Sequence, residues 1–391
     1  MRRYWHPIAA VSQLAEPGTR AVRLLGEDFV LYRDRQGGYG LVEPHCAHRG
    51  AGLLFAMPEE CGIRCSYHGW VYDASGQCVE QPYEEFLDAN SRAKDRIRIR
   101  AHLVEELGGL LWTYLGPDPK PLIPRWEGLV RPDVKREIGM AVLPCNWLQS
   151  IENSGDHTHV VFAHRAFSSY VFEKLGRPDL KRHAFSSGMT GFLPARAPTR
   201  NPYGWGSHMF PYSGAIHDQY QMRVPVDDTH TLHIWYVFYT AEDEAELGIS
   251  LAPQPDAAAI PFFDVPVPGL EQPEWPLLDG NSGQDLLMWC SQGAIQDRTR
   301  EHLGPGDAQI VRSRALLEEQ ISIVEEGGDP LNVFRDPAEN QCLIPTYSSQ
   351  IPRLRPDGLI DRTNDARKYS AVVTQATVER YGKDALREPV H

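Results

Sequence analysis

The sequence predicts an α+β chain in two parts, an all-β domain at 1–118 followed by a mixed domain at 119–391. Three observations carry this. Short runs rich in β-branched and aromatic residues, each bounded by glycine or acidic turn residues, fill roughly the first 115 positions. The stretch Gly116-Pro117-Asp118-Pro119-Lys120-Pro121 then breaks all patterning and reads as a linker. Beyond it, segments of helical and of strand period alternate.

In the first part, 21–24, 29–32 and 39–42 read as strands, separated by Gly26-Glu27-Asp28 and Gln36-Gly37-Gly38. Arg96-Ile97-Arg98-Ile99-Arg100 alternates charged and apolar residues, as a half-exposed strand would, and 108–114 predicts a further strand. In the second part, 146–165 predicts a helix with Asn146 as its N-cap after Pro144. Strands are expected at 220–226 and 231–239 around the turn Asp227-Asp228-Thr229-His230. The second strand carries Trp235, Tyr236, Phe238 and Tyr239, bulky on both faces, as a pocket wall would be. An amphipathic helix is expected at 309–325, and a helix packed on the second domain or on a neighbouring subunit after Leu354.

The 391 residues are 42% hydrophobic and 23% charged, ordinary for a globular chain, with a net charge of −13 that argues against a nucleic-acid partner. No apolar run is long enough to span a bilayer. Arg2-Arg3 is followed by no apolar export segment, so a cytoplasmic location is expected. Seven cysteines, unevenly spaced, do not make a disulfide framework, and Cys61 and Cys78 read as buried thiols.

Four residues carry the first chemistry. Cys46-Ala47-His48 is followed, 16 residues later, by Cys65-Ser66-Tyr67-His68. Two thiolates and two imidazoles suit tetrahedral zinc, or a 2Fe–2S centre in which the cysteines hold one iron and the histidines the other. Zinc fingers pair cysteine with cysteine and histidine with histidine; here each half is mixed. Gly50, Gly52 and Gly69-Trp70 suit tight loops closing over a cluster. With Cys46-x-His48-Arg49-Gly50 and Cys65-x-Tyr67-His68-Gly69-Trp70 in hand, the sequence resembles the Rieske proteins. Respiratory members carry an extra cysteine in each loop, and this chain has none near Gly50 or at Tyr67. The resemblance is therefore to the oxygenase or soluble ferredoxin type. Imidazole ligands raise the potential of such a cluster above that of an all-cysteine one.

Asp156-His157-Thr158-His159 and His164 supply the second set, D-x2-H-x4-H within the expected helix. Two histidines and a carboxylate on one face of an iron leave positions open for O₂. A regular helix turns about 140° over five residues, so it must bend or loosen between His159 and His164. The arrangement resembles that of the Rieske ring-hydroxylating oxygenases. The resemblance implies that His159 and His164 bind iron and that Asp156 hydrogen-bonds a ligand histidine and bridges toward the cluster of a neighbouring subunit. It implies a distant carboxylate as third ligand, Asp285, with Asp279 and Asp297 as alternatives, and leaves His157 a non-ligand.

The run from Gln292-Gly293 through Asp297-Arg298-Thr299 to Glu301-His302-Leu303-Gly304 and Asp307 resembles the phthalate-dioxygenase-like branch, built from one subunit type as homotrimers. Ala294 stands where many relatives have proline. The resemblance as a whole implies an N-terminal Rieske 2Fe–2S domain and a helix-grip (START-like) catalytic domain. It implies a mono- or dioxygenase, O₂ as co-substrate and electrons from NAD(P)H through a separate reductase, with or without a ferredoxin. Gly37-Gly38-Tyr39-Gly40 lacks the strand–loop–helix setting of a nucleotide site and reads as a turn. An aromatic acid or aryl ether would be dihydroxylated, hydroxylated or demethylated, and Arg182, Arg196 and Arg200 are candidates to hold a carboxylate. The competing reading is an electron carrier or ligand sensor without catalytic iron.

Overall fold

The computed structural model describes residues 1–156, 158–176, 207–209, 211–216, 219–343 and 366–381. His157, Arg182, Arg196 and Arg200 lie outside them, as does most of the stretch after Leu354 up to Ala366. The chain divides into two compact units.

The first unit comprises Met1–Pro124 with two later returns, Pro255–Ile260 and Val333–Gln341. The sequence put the boundary at 118; the observed unit runs on to Pro124, and long-range contacts hold the residues just after the expected linker. Leu122 bridges to Phe334, and Asn340 donates to the Ile123 carbonyl at 2.8 Å. Its strands are β1 (Trp5–Ala10), β2 (Gly18–Leu24), β3 (Glu27–Arg33), β4 (Tyr39–Val42), β5 (Met57–Pro58), β6 (Ile63–Arg64), β7 (Val71–Tyr72), β8 (Cys78–Glu80), β9 (Ala101–His102), β10 (Val104–Leu107) and β11 (Leu110–Tyr114). They form antiparallel sheets in the orders β1-β11-β10, β2-β3-β4-β9 and β5-β6-β7-β8.

The Arg96–Arg100 alternation does not make a strand. Residues Ala93–Arg96 turn as a 3-10 helix because the Gln77 amide donates to the carbonyls of Lys94 (2.9 Å) and Ile97 (3.0 Å) and gathers the chain there. Only Ala101–His102 then pairs with β4. A short helix, α1 (Pro82–Leu87), follows β8. The core of this unit joins Tyr32, Val42, Leu53, Ile63, Trp70 and Tyr72 with the thiols of Cys46 and Cys65. Its metal-ligand candidates are thus set into the packed interior.

The second unit holds a sheet ordered β13-β14-β15-β16-β12-β17. Its strands are β12 (Lys135–Leu143), β13 (Ser207–Met209), β14 (Ser213–Ile216), β15 (Gln219–Pro225), β16 (Thr231–Tyr239) and β17 (Phe262–Asp264). All neighbours are antiparallel except β12 and β17. The expected turn joins β15 to β16, with Val226 N donating to the His230 carbonyl at 3.0 Å. Its helices are α2 (Glu127–Val130), α3 (Trp147–Glu152), α4 (Thr158–Val161), α5 (Ser168–Lys174), α6 (Ala241–Leu247), α7 (Asn281–Ser291), α8 (Ala308–Glu325) and α9 (Ala371–Tyr381).

Because strand side chains alternate, each face of the sheet has its own partner. Ala141, Leu143 and Trp235 pack with Phe263 and with Leu286, Trp289 and Cys290 of α7. Val237 and Tyr239 pack with Val373 of α9. On the opposite face, the Tyr220 hydroxyl accepts the Gly128 N–H of α2 at 2.8 Å. This is the sheet-over-helix arrangement that a helix-grip domain requires, with α7 held against the sheet.

Candidate metal centres

The two cysteine–histidine pairs occupy matching loops, 46–51 between β4 and β5 and 65–70 between β6 and β7. Each is closed by the same two hydrogen bonds. Cys46 N donates to Ala51 O and Gly50 N to Cys46 O, both at 2.9 Å; Cys65 N donates to Trp70 O at 2.8 Å and Gly69 N to Cys65 O at 3.0 Å. The glycines have φ of +71° and +76°, a conformation costly for other residues. Cys46 and Cys65 are buried. The His48 and His68 rings lie 4.5 Å apart, and His48 stacks on Trp70 at 4.4 Å with an 8° tilt.

The His48 Nδ1 is buried and has no hydrogen-bond partner among the described residues. The Tyr72 hydroxyl lies 3.1 Å from Cys46 Sγ and accepts the Ala47 N–H at 3.1 Å. Burial pushes the Cys46 thiol up, against the Tyr72 hydrogen bond, so only a strongly bound cation makes its thiolate favourable there. Two buried thiols, two adjoining imidazoles and an orphaned buried nitrogen fit a 2Fe–2S group. Cys78 is buried as expected, and burial pushes its thiol up to about 11. Cys61 is exposed, contrary to expectation, because it sits in the β5–β6 turn closed by Glu59 N to Gly62 O at 2.9 Å.

The expected helix at 146–165 is broken into pieces, and the breaks position the second set. Asn146 is the N-cap, its Oδ1 accepting from Leu148 N at 2.9 Å. After α3 come a 3-10 turn over Asn153–Gly155, then α4, then a π-helix over Phe162–Phe167. A π turn closes over five residues rather than four, which brings two residues five apart toward one face. The loosening that the spacing demanded therefore takes this form. His159 and His164 meet edge to face at 5.1 Å.

Asp285 reaches them from the first half of α7. Its Oδ1 lies 3.1 Å from His164 Nε2 and 3.7 Å from His159 Nε2. The ligand atoms of all three lie within 4.8 Å of one another. Donors each about 2.1 Å from one ion stand roughly 3 to 3.5 Å apart, so the trio suits a single metal. Asp285 Oδ1 is buried and has no hydrogen-bond partner among the described residues. The alternatives are engaged elsewhere: Asp279 pairs with Lys368, and Asp297 accepts from Thr299 N at 3.1 Å to cap a 3-10 turn.

The far side of each ring is also held. His164 Nδ1 is 2.9 Å from Gln284 Oε1, and the Gln284 amide donates to Leu278 O at 2.8 Å. With Gln284 fixed as acceptor, Nδ1 carries the proton and Nε2 presents its lone pair beside Asp285. Asp156 Oδ2 stands 3.5 Å from His159 Nδ1, while its Oδ1 accepts from Thr158 N at 2.7 Å and Thr158 Oγ1 at 2.8 Å. Burial pushes the Asp156 carboxyl up, but the nearby His159 imidazole and the hydrogen bonds from Thr158 outweigh it and hold it well below the carboxylate range. Burial likewise opposes the charged forms of His164 and Asp285, and their mutual attraction outweighs it, raising the imidazole and lowering the carboxyl.

Residues 4–90 match the Rieske [2Fe-2S] domain family, and residues 270–384 match a family described as LigXa C-terminal domain like. The chain is 38% identical over 356 residues to the 5,5'-dehydrodivanillate O-demethylase oxygenase subunit of Sphingobium sp. (strain NBRC 103272 / SYK-6), covering 88% of this chain and 82% of that one. The chain belongs to the Rieske oxygenase subunits.

It is 41% identical over 399 residues to the tert-butanol monooxygenase / tert-amyl alcohol desaturase oxygenase subunit of Aquincola tertiaricarbonis, covering 91% and 79% of the two chains. Among solved structures it resembles the NdmA QL mutant with theobromine from Pseudomonas putida CBB5, at a TM-score of 0.60 and 20% identity over 90% of this chain and 98% of that one, a likeness of fold. As a Rieske oxygenase subunit it is the O₂-using component of a multicomponent system, a mono- or dioxygenase with a 2Fe–2S cluster and a mononuclear iron, supplied with electrons by a separate reductase. An electron carrier or sensor without catalytic iron is thereby set aside. No helix among the described residues is long and apolar enough to cross a membrane.

Sequence reasoning missed the groups that hold this Rieske oxygenase's second site together. Gln284 adjoins Asp285, but an uncharged amide gives no signal outside the fold. Gln149 of α3 donates to Trp289 O (2.9 Å) and Gly293 O (2.8 Å), tying the histidine-bearing segment to the end of α7. Glu152 accepts from Arg298 Nη1 at 2.9 Å and Arg314 Nε at 2.6 Å, and Arg314 also pairs with Glu301 at 2.6 Å. This network is what the Asp297–Leu303 run supplies. Ala294 contributes its carbonyl, which accepts from Asn146 N at 2.8 Å.

Proposed function

We propose that His159, His164 and Asp285 hold the mononuclear iron, that Cys46, His48, Cys65 and His68 hold the Rieske cluster, and that the enzyme hydroxylates, dihydroxylates or O-demethylates an aromatic acid or aryl ether. The observation that carries this is the convergence of two imidazole Nε2 atoms on one buried Asp285 oxygen, with Gln284 and Asp156 on the far sides of the rings. These residues would hold a ferrous ion, which would supply the O₂-activating chemistry. Gln284 keeps the His164 proton on Nδ1, and Asp156 keeps the His159 ring in line while facing the route to a neighbouring subunit's cluster. The first domain spans 1–118 and the catalytic domain 119–391 in this reading. The reading includes a homotrimer working in the cytoplasm beside its NAD(P)H-dependent reductase. A tertiary alcohol is the second substrate class, favoured by the 41% identity to the tert-butanol monooxygenase subunit.

Metal and acid-labile sulfide analysis with EPR tests the assignment on anaerobically purified wild type and a His159→Ala, His164→Ala double variant. The expected result is about three irons and two sulfides per chain, with about one iron lost in the variant while the reduced-cluster signal survives. Two irons in both proteins under iron-replete conditions would refute the triad.

A further inference from the structure

A second group of polar residues lies one helical turn from Asp285 and is used by none of the steps above. Arg223 of β15 and His233 of β16 are direct cross-strand partners, so their side chains share one face of the sheet. It is the face of Trp235, which packs with Leu286 and Trp289 of α7. Trp289 stands four residues after Asp285, on the same side of α7 and about 6 Å along its axis. The Trp289 ring stacks on His233 at 5.3 Å, and the Arg223 guanidinium carbon lies 5.5 Å from its centroid.

Arg223 and His233 are 2% and 0% exposed. Among the described residues the Arg223 Nη atoms donate only to Gln221, to its carbonyl at 3.1 Å and to its side-chain oxygen at 2.8 Å. Arg223 Nε, both His233 ring nitrogens and Trp289 Nε1 are buried with no hydrogen-bond partner among the described residues. No carboxylate forms an ion pair with Arg223 among the described residues; Asp285 attracts it from a distance but faces the two histidines. His233 is held in its neutral form by burial and by the Arg223 charge, so it offers one N–H and one lone pair. Buried cations and buried donors do not ordinarily go unpaired.

We infer that Arg223, with His233 and Trp289 Nε1, forms an anion subsite that holds the carboxylate of an aromatic acid while its ring lies along α7 toward the iron. The inference rests on the proposed triad for its orientation, since Asp285 is then committed to the metal and leaves the Arg223 charge to the substrate. A planar carboxylate matches a guanidinium edge, and the indole face beside it suits an aryl ring. A tertiary alcohol offers neither feature. The subsite thus selects between the two proposed substrate classes.

The test is calorimetric titration of the full-length, cluster- and iron-containing enzyme under argon, which needs no turnover. The probes are 4-methoxybenzoate, the neutral 4-methoxybenzamide and tert-butanol. Wild type is expected to bind the acid at least about tenfold more tightly than the amide, and Arg223→Gln to weaken the acid about 100-fold while leaving the amide and the reduced-cluster EPR signal unchanged. Arg223→Lys, which keeps the charge, is expected to restore part of the preference. Should Arg223→Gln fail to fold, Trp289→Phe carries the test by removing one N–H, with a weaker acid and an unchanged amide expected. Equal affinity for acid and amide in wild type, binding of tert-butanol alone, or no carboxylate binding at all overturns the inference. Iron content is read on the same samples. A wild type without the mononuclear iron that still prefers the acid refutes the triad and keeps the subsite.

Discussion

Replacing Tyr72 by phenylalanine isolates a single contact at the loops proposed to hold the cluster. The Tyr72 ring is fully buried, so the change leaves its packing in place and removes one oxygen. That oxygen stands 3.1 Å from Cys46 Sγ and accepts the Ala47 N–H at 3.1 Å. Because Ala47 N–H already points at the oxygen, the phenolic hydrogen is left to donate to sulfur, and a metal-bound thiolate can only accept. A hydrogen bond to a charged acceptor contributes about 1.5–3 kcal/mol, and it strengthens when the cluster gains negative charge on reduction. If roughly 1 kcal/mol of it belongs to the reduced form alone, losing it lowers a one-electron potential by about 40 mV. Tyr72→Phe should therefore retain full iron and sulfide while its midpoint potential, from an EPR-monitored redox titration, falls by that order. An unchanged or higher potential in a fully loaded variant would show that the hydroxyl does not donate to Cys46, and the account of the loop would fail.

Two further substitutions probe the scaffold. Hydrogen bonding from Arg314 holds the Glu301 carboxyl below its ordinary value of 4.5, burial opposing. Its contribution is therefore complete above that value and is lost as pH falls through the lowered folded value. Glu301→Gln should cost about 2 kcal/mol at pH 7. By scanning calorimetry its midpoint should converge on that of wild type as pH drops below 4.5; a gap independent of pH would refute the ion pair. Gly62 has φ of +96°, and a Cβ there would run into the Tyr72 carbonyl oxygen. Gly62→Ala should cost about 2 kcal/mol or more and lower cluster occupancy by shifting β7, measured by thermal unfolding and sulfide content; full occupancy with an unchanged midpoint would count against it.

What was legible in the sequence is local. The two Cys–His loops follow from hydrogen bonds spanning four and five residues and from glycines at positive φ, so spacing and residue type suffice to find them. The same holds for the Asn146 cap and the β15–β16 turn. The D-x2-H-x4-H spacing even demanded an irregular helix, because a regular one could not bring its histidines together. Its limits show where locality ends. Arg96–Arg100 had a strand's alternation, but a 3-10 turn takes its first residue and the rest makes only an isolated antiparallel bridge, Arg98 to Gln77. Cys61 looked like a core thiol, but it lies at a hairpin tip.

Tertiary structure decided the rest. Which aspartate stands beside His159 and His164 depends on how α7 packs on the sheet and on Gln149 tying its end to α3, over about 140 residues of chain. Asp279 and Asp297 differ from Asp285 only in what the fold sets next to them. Gln284, Arg223 and His233 carry no motif, and their meaning comes from burial and from which of their atoms lack partners. Hydrogen-bond geometry within a loop is a property of its own residues, whereas desolvation and long-range juxtaposition belong to the packed chain as a whole.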